Sequence, residues 1–85
     1  MMNSRQKRTL RAIFEEPTRA DIKWSAIESL LKANGAERFE RKGSRVIFVL
    51  NGVKALFHRP HPSPDANKST VRDVREFLRS AEGKR

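Results

Sequence analysis

The chain has 85 residues and no cysteine, which points to one domain with a lean core and excludes disulfides, cysteine-ligated zinc and a cysteine nucleophile. Nineteen Lys and Arg against ten Asp and Glu give a formal net charge of +9, which favours a polyanionic partner such as RNA, DNA, an anionic membrane or an acidic protein. No apolar run approaches the roughly 18 residues of a membrane span, and the basic start "MMNSRQKRTLRAIFEEP" has no apolar secretory core, so a cytoplasmic location without membrane attachment is expected.

Asn3 followed by Gln6 has capping-box spacing and predicts a helix from Ser4 to Glu16, stopped by Pro17. Leu10, Ile13 and Phe14 fall on one face of it. A polar connector runs from Thr18 to Lys23. Ser25 with Glu28 reads as a second capping box, for a helix whose apolar stripe is Trp24, Ile27, Leu30 and Leu31. Gly35 after Asn34 closes that helix.

"AERFER" is a short polar strand candidate, and Gly43-Ser44 marks a turn. "RVIFVL" and "VKALFH" flank Asn51-Gly52, the signature of a two-residue type I′ hairpin. That turn sets Leu50 opposite Val53, Phe48 opposite Ala55 and Val46 opposite Phe57 on one apolar face. Val49 with Lys54, Ile47 with Leu56 and Arg45 with His58 occupy the other face.

"RPHPSPDANK" reads as a stiff, extended loop. A last helix is predicted from Ser69 and Thr70, with Thr70 and Asp73 as its capping box and Val71, Val74, Phe77, Leu78 and Ala81 as its apolar stripe. Arg72, Arg75 and Arg79 are expected on the opposite side. "EGKR" reads as a frayed basic tail.

The order helix, helix, three strands, helix predicts an α+β fold. Its α-β-β-β-α core resembles the double-stranded-RNA-binding fold, with helices on one face of a three-stranded antiparallel sheet. Residues 1–85 are read as one domain, with 1–17 a helical extension and 21–83 the core.

His58 and His61 are the only histidines, and Pro60 and Pro62 bracket the second. Imidazole both takes and gives a proton near neutrality. Cleavage of RNA by its own 2′-hydroxyl needs a base, an acid and cations for the phosphorane charge. The chain lacks the carboxylate cluster of a two-metal nuclease, so neither metal nor cofactor is expected. Arg45, opposite His58, is a candidate to hold the scissile phosphate. Lys42, Ser44, Lys54, Arg59, Lys68, Arg72, Arg75 and Arg79 are the candidates for binding RNA.

Asn34-Gly35, Lys42-Gly43-Ser44 opening a strand, the hairpin, Pro60-His61-Pro62 and Lys68-Ser69-Thr70 follow in an order that resembles the HicA family of toxins from bacterial toxin–antitoxin systems. The resemblance covers Asp21 to Gly83. It implies metal-independent cleavage of mRNA and neutralisation by a HicB-like antitoxin. The family usually places its catalytic histidine directly after the Gly-Ser, where this chain has Arg45. His61 matches the family's Pro-His-Pro, and His58 is an addition. His58 is therefore expected to take over proton transfer, with Arg45 on the phosphate and His61 as acid or loop-shaper. Three other functions fit the basic composition: a non-catalytic RNA-binding module, a DNA-binding regulator, and an interaction protein that docks an acidic partner on its sheet.

Overall fold

A computed structural model describes residues 1–83. Helix α1 spans Ser4–Ile13. Its capping box forms as the spacing predicts: Asn3 Oδ1 accepts from Gln6 N at 2.8 Å, and Gln6 Oε1 accepts from Asn3 N at 2.9 Å. The helix ends at Ile13, before the predicted Glu16, in tighter bonds from Phe14 N to Arg11 O and Glu15 N to Ala12 O; Pro17 has no N–H for Ile13 O, which accepts from Arg75 instead. Phe14, expected on the apolar face, is instead exposed.

Two short strands were not legible in the sequence. β1 (Ile22–Lys23) and β5 (Asp65–Ala66) pair antiparallel, Ile22 with Ala66 and Lys23 with Asp65. Helix α2 (Trp24–Ala33) follows β1 directly. Lys23 therefore sits at the N-cap with no side-chain bond, and the predicted Ser25–Glu28 capping box does not form. Glu28 accepts instead from Trp24 Nε1 at 2.7 Å. At the other end Gly35 has φ +97°. Gly35 N donates to Lys32 O and Ala36 N to Leu31 O, the paired bonds of a Schellman close.

The main sheet has the order β2-β3-β4, with β2 at Glu37–Glu40, β3 at Arg45–Leu50 and β4 at Val53–His58. The hairpin register matches the prediction at every pair, from Leu50–Val53 to Arg45–His58. Asn51 (φ +51°) and Gly52 (φ +79°) take the left-handed turn conformations that a type I′ hairpin demands. Val46, Phe48, Leu50 and Phe57 are buried under the helices, together with Ile27, Leu31 and Val74, while Ile47 is half-buried on the other face.

Trp24, Phe48, Phe57 and Phe77 form an aromatic cluster that joins α2, β3, β4 and α3 (Lys68–Glu82), with ring centroids 5.8–6.5 Å apart. Edge-on and tilted contacts of this kind add to the burial of the rings themselves. Helix α3 starts at Lys68, earlier than predicted, because Asn67 caps it by accepting from Thr70 N at 2.8 Å. The Thr70–Asp73 box is therefore not what opens it. Glu82 is still helical and Gly83 is the C-cap. The remainder of the predicted basic tail, Lys84 and Arg85, lies outside the described residues.

Arg75 requires a correction. The helical stripe put it on the solvent side of α3 as an RNA ligand, but the residue is buried, at 7% exposure. Its guanidinium donates to Ile13 O at 2.9 Å, Glu15 O at 3.1 Å, the Glu16 carboxylate at 2.7 Å and Thr18 Oγ1 at 3.3 Å. Arg75 lies at the margin of the apolar stripe, and α1 packs over that margin. It is a structural clamp on the end of α1.

Candidate active site

The loop between β4 and α3 is strapped at both ends. Arg59 N donates to Ser44 O at 2.8 Å, which carries the hairpin ladder one step past Arg45–His58. Trp24 N donates to Pro64 O at 2.9 Å, and β5 then pairs with β1. The proline-rich segment is thus suspended between the Gly-Ser turn and the start of α2. The segment is not the extended run its prolines predict: it bends at His61, Pro62 and Pro64, and the His61-Pro62 peptide is cis.

Two clefts flank this loop. One, of about 500 Å³, is lined by His58, Arg59, His61, Asp65, Asn67 and Thr70, among others, and lies beside the first turn of α3. The other, of about 590 Å³, is lined by Trp24, Ser25, Ser44, Arg59, His61 and Pro64. Arg59 and His61 belong to both. The Nε of Arg59 is buried and has no hydrogen-bond partner among the described residues. A buried charged donor without an acceptor is costly, and the Arg59 side chain that carries it lines both clefts, so an anion in either lies beside its positive charge. Helix N-termini also favour negative charge, and each cleft abuts one.

The structure therefore brings His58, His61 and Arg59 together and adds Ser44 on one side. Arg45 stands opposite His58 as predicted, but its Nε donates to Lys42 O at 3.2 Å, and it lines neither cleft. Lys68 occupies the exposed first turn of α3. Lys42 is exposed near the Gly-Ser turn, and Lys54 is exposed at the far, turn end of β4. Arg72 is exposed, whereas Arg79 covers the Phe14 ring at 5.3 Å and lies 3.5 Å from Glu76.

Sequence reasoning missed Trp24, Ser25 and Asp65 as cleft walls. The Trp24 N–Pro64 O bond and the β1–β5 pairing bring the start of α2 to the loop and fix Asp65 within it, and two-residue strands leave no periodic signal. Among the described residues, no group of three or more His, Cys, Asp or Glu could hold a metal ion. No helix among them is long and apolar enough to cross a membrane.

A family model described as the HicA toxin of bacterial toxin–antitoxin systems matches residues 24–82. The chain belongs to the HicA toxin family. No curated protein and no solved structure matches it. The HicA match begins on the first residue of α2 and ends on the last of α3, so α1 and β1 lie outside it. Membership makes the chain a toxin of a toxin–antitoxin system, which implies an antitoxin as partner.

Proposed function

We propose that this HicA-family toxin is an endoribonuclease that cleaves mRNA by proton transfer, and that a HicB-like protein is its antitoxin. One observation carries the reading. The only two histidines line a single cleft, with Arg59 between them in the chain and its Nε unpartnered. One imidazole takes the proton of the attacking 2′-hydroxyl as the P–O2′ bond forms. The other gives a proton to the 5′-oxygen as the P–O5′ bond breaks. Arg59 stabilises the charge that builds on the phosphorane between those events.

Cleavage of mRNA by the purified protein in EDTA is the test, with His58→Ala and His61→Ala alongside. Cleavage is expected to persist in EDTA. Each substitution is expected to lower it by about 10²–10⁴-fold. Both residues are exposed, so the variants should melt like the wild type. Full cleavage by both variants sinks the proposal. A second reading draws on Arg45, which stands where the family usually has its histidine. Under that reading the wild type binds RNA and cleaves nothing, and the chain is an RNA-binding module with a double-stranded-RNA-binding-like fold.

A further inference from the structure

Helix α1 lies outside the family match, yet it is built into the molecule. Thr9, Ala12 and Ile13 are buried, and Arg75 grips its C-terminus. At about 100° per residue, Arg11 lies directly opposite the buried Thr9 and Ile13, with Lys7 and Arg8 on its two flanks, all three exposed. No acidic residue occurs from Ser4 to Ile13. None of the three cations enters an ion pair among the described residues.

This arrangement opposes helix stability. Arg8 and Arg11 are three apart and Lys7 and Arg11 four apart, the spacings at which like charges repel. Arg5 adds positive charge at the N-terminal end, where the helix dipole disfavours it. A face serving only for solubility would mix signs, as other surfaces of this molecule do: Arg19 is paired with Glu15 and Asp21, and Arg38 with Glu28 and Glu40.

One member of the face, Arg8, also borders a groove that leads toward the strand paired with the histidine loop. Arg5 and Arg8 line a groove of about 230 Å³ together with Arg19 and Lys23. Lys23 pairs with Asp65 across the β1–β5 ladder, and Asp65 is a wall of the histidine cleft.

We infer that the solvent face of α1 is a second RNA-contact surface, which holds the phosphate backbone of a strand whose other part enters the histidine cleft. The inference rests on the RNA-cleaving reading. Nucleic acid fits better than an acidic protein because the face carries three cations with no acidic residue among them, and the one exposed apolar ring beside it, Phe14, is covered by Arg79 at 5.3 Å. Protein interfaces are depleted of charge at their centres. The outer sheet face, where Phe39, Ile47 and Leu56 align across three strands, has the character that a protein partner needs.

The experiment measures binding of a 2′-O-methyl RNA oligonucleotide, which lacks the attacking hydroxyl, as a function of salt. The proteins are the wild type, the variant Lys7→Gln/Arg8→Gln/Arg11→Gln, and the charge-conserving variant Lys7→Arg/Arg8→Lys/Arg11→Lys. Three lost contacts to a single strand should flatten the slope of log affinity against log salt by about two. Between about 50 and about 200 mM salt, the neutralised variant would then lose roughly 16-fold less affinity than the wild type. The charge-conserving variant should keep the wild-type slope. Should the triple variant fail to fold, Arg8→Gln alone should flatten the slope by about 0.7. An unchanged slope in the neutralised variants overturns the inference. So does an unchanged slope accompanied by weaker antitoxin binding, which would give the face to an acidic protein. Cleavage of unmodified RNA by the wild type is scored separately. If that is absent while the slope responds to α1, the cleavage reading fails and the contact surface stands.

Discussion

Replacing Arg75 by alanine should unfold the link between α1 and α3 without touching RNA directly. Two of its bonds go to the backbone carbonyls of Ile13 and Glu15. Hydrogen bonds to a charged group contribute about 1.5–3 kcal/mol each. Taking the lower figure for both gives about 3 kcal/mol. The Glu16 ion pair adds little, because that carboxylate is 71% exposed. For a domain of this size, 1 kcal/mol moves Tm by about 4–8 °C, so Arg75→Ala should melt about 12–24 °C below the wild type. Thermal unfolding followed by circular dichroism reads this directly. Arg75→Lys should fall between the two, since an ammonium cannot reproduce the guanidinium fork. Arg72→Ala, one turn away but exposed, should stay within about 0.5 kcal/mol of the wild type. A wild-type Tm for Arg75→Ala, with a flattened salt dependence of RNA binding, would refute the clamp and restore Arg75 as a phosphate ligand.

Gly52→Ala should cost about 1–2 kcal/mol purely through backbone conformation, because φ is +79° while an added Cβ meets nothing within 4 Å; urea unfolding checks this, and a neutral result would mean the turn relaxes. Arg59→Ala should reduce RNA cleavage more than Arg45→Ala, since Arg59 lines both clefts and Arg45 is turned to Lys42 O; the reverse order in single-turnover assays would return the phosphate role to Arg45. Phe39→Asp with Leu56→Asp places carboxylates among the exposed apolar groups of the outer sheet face, at 42% and 48% exposure; this variant should bind a HicB-like antitoxin at least tenfold more weakly, about 1.4 kcal/mol, and calorimetry showing wild-type affinity would move the antitoxin elsewhere.

The hairpin, its register, the capping box of α1 and the Schellman close of α2 were legible in the sequence because each depends on residues a few positions apart. Asn51-Gly52 demands one turn type, and that turn assigns every side chain of β3 and β4 to a face. The apolar stripes then identified Phe48, Ile27 and Val74 as core. What the sequence left open was decided by contacts between distant segments. Arg75 reaches Ile13 across 62 positions, so helical spacing puts it nearer the apolar stripe than Arg72 but cannot reveal the distant partner that buries it. Two-residue strands have no period, so β1 and β5 became visible only as a pair, and with them the true start of α2 and the walls of the clefts. The candidate site shows the same division. Register alone placed Arg45 opposite His58, but strand pairing fixes where a Cβ points and not where a long side chain ends. Arg45 found an acceptor at Lys42 O, while packing of the strapped loop left Arg59 facing both clefts with its Nε unpartnered.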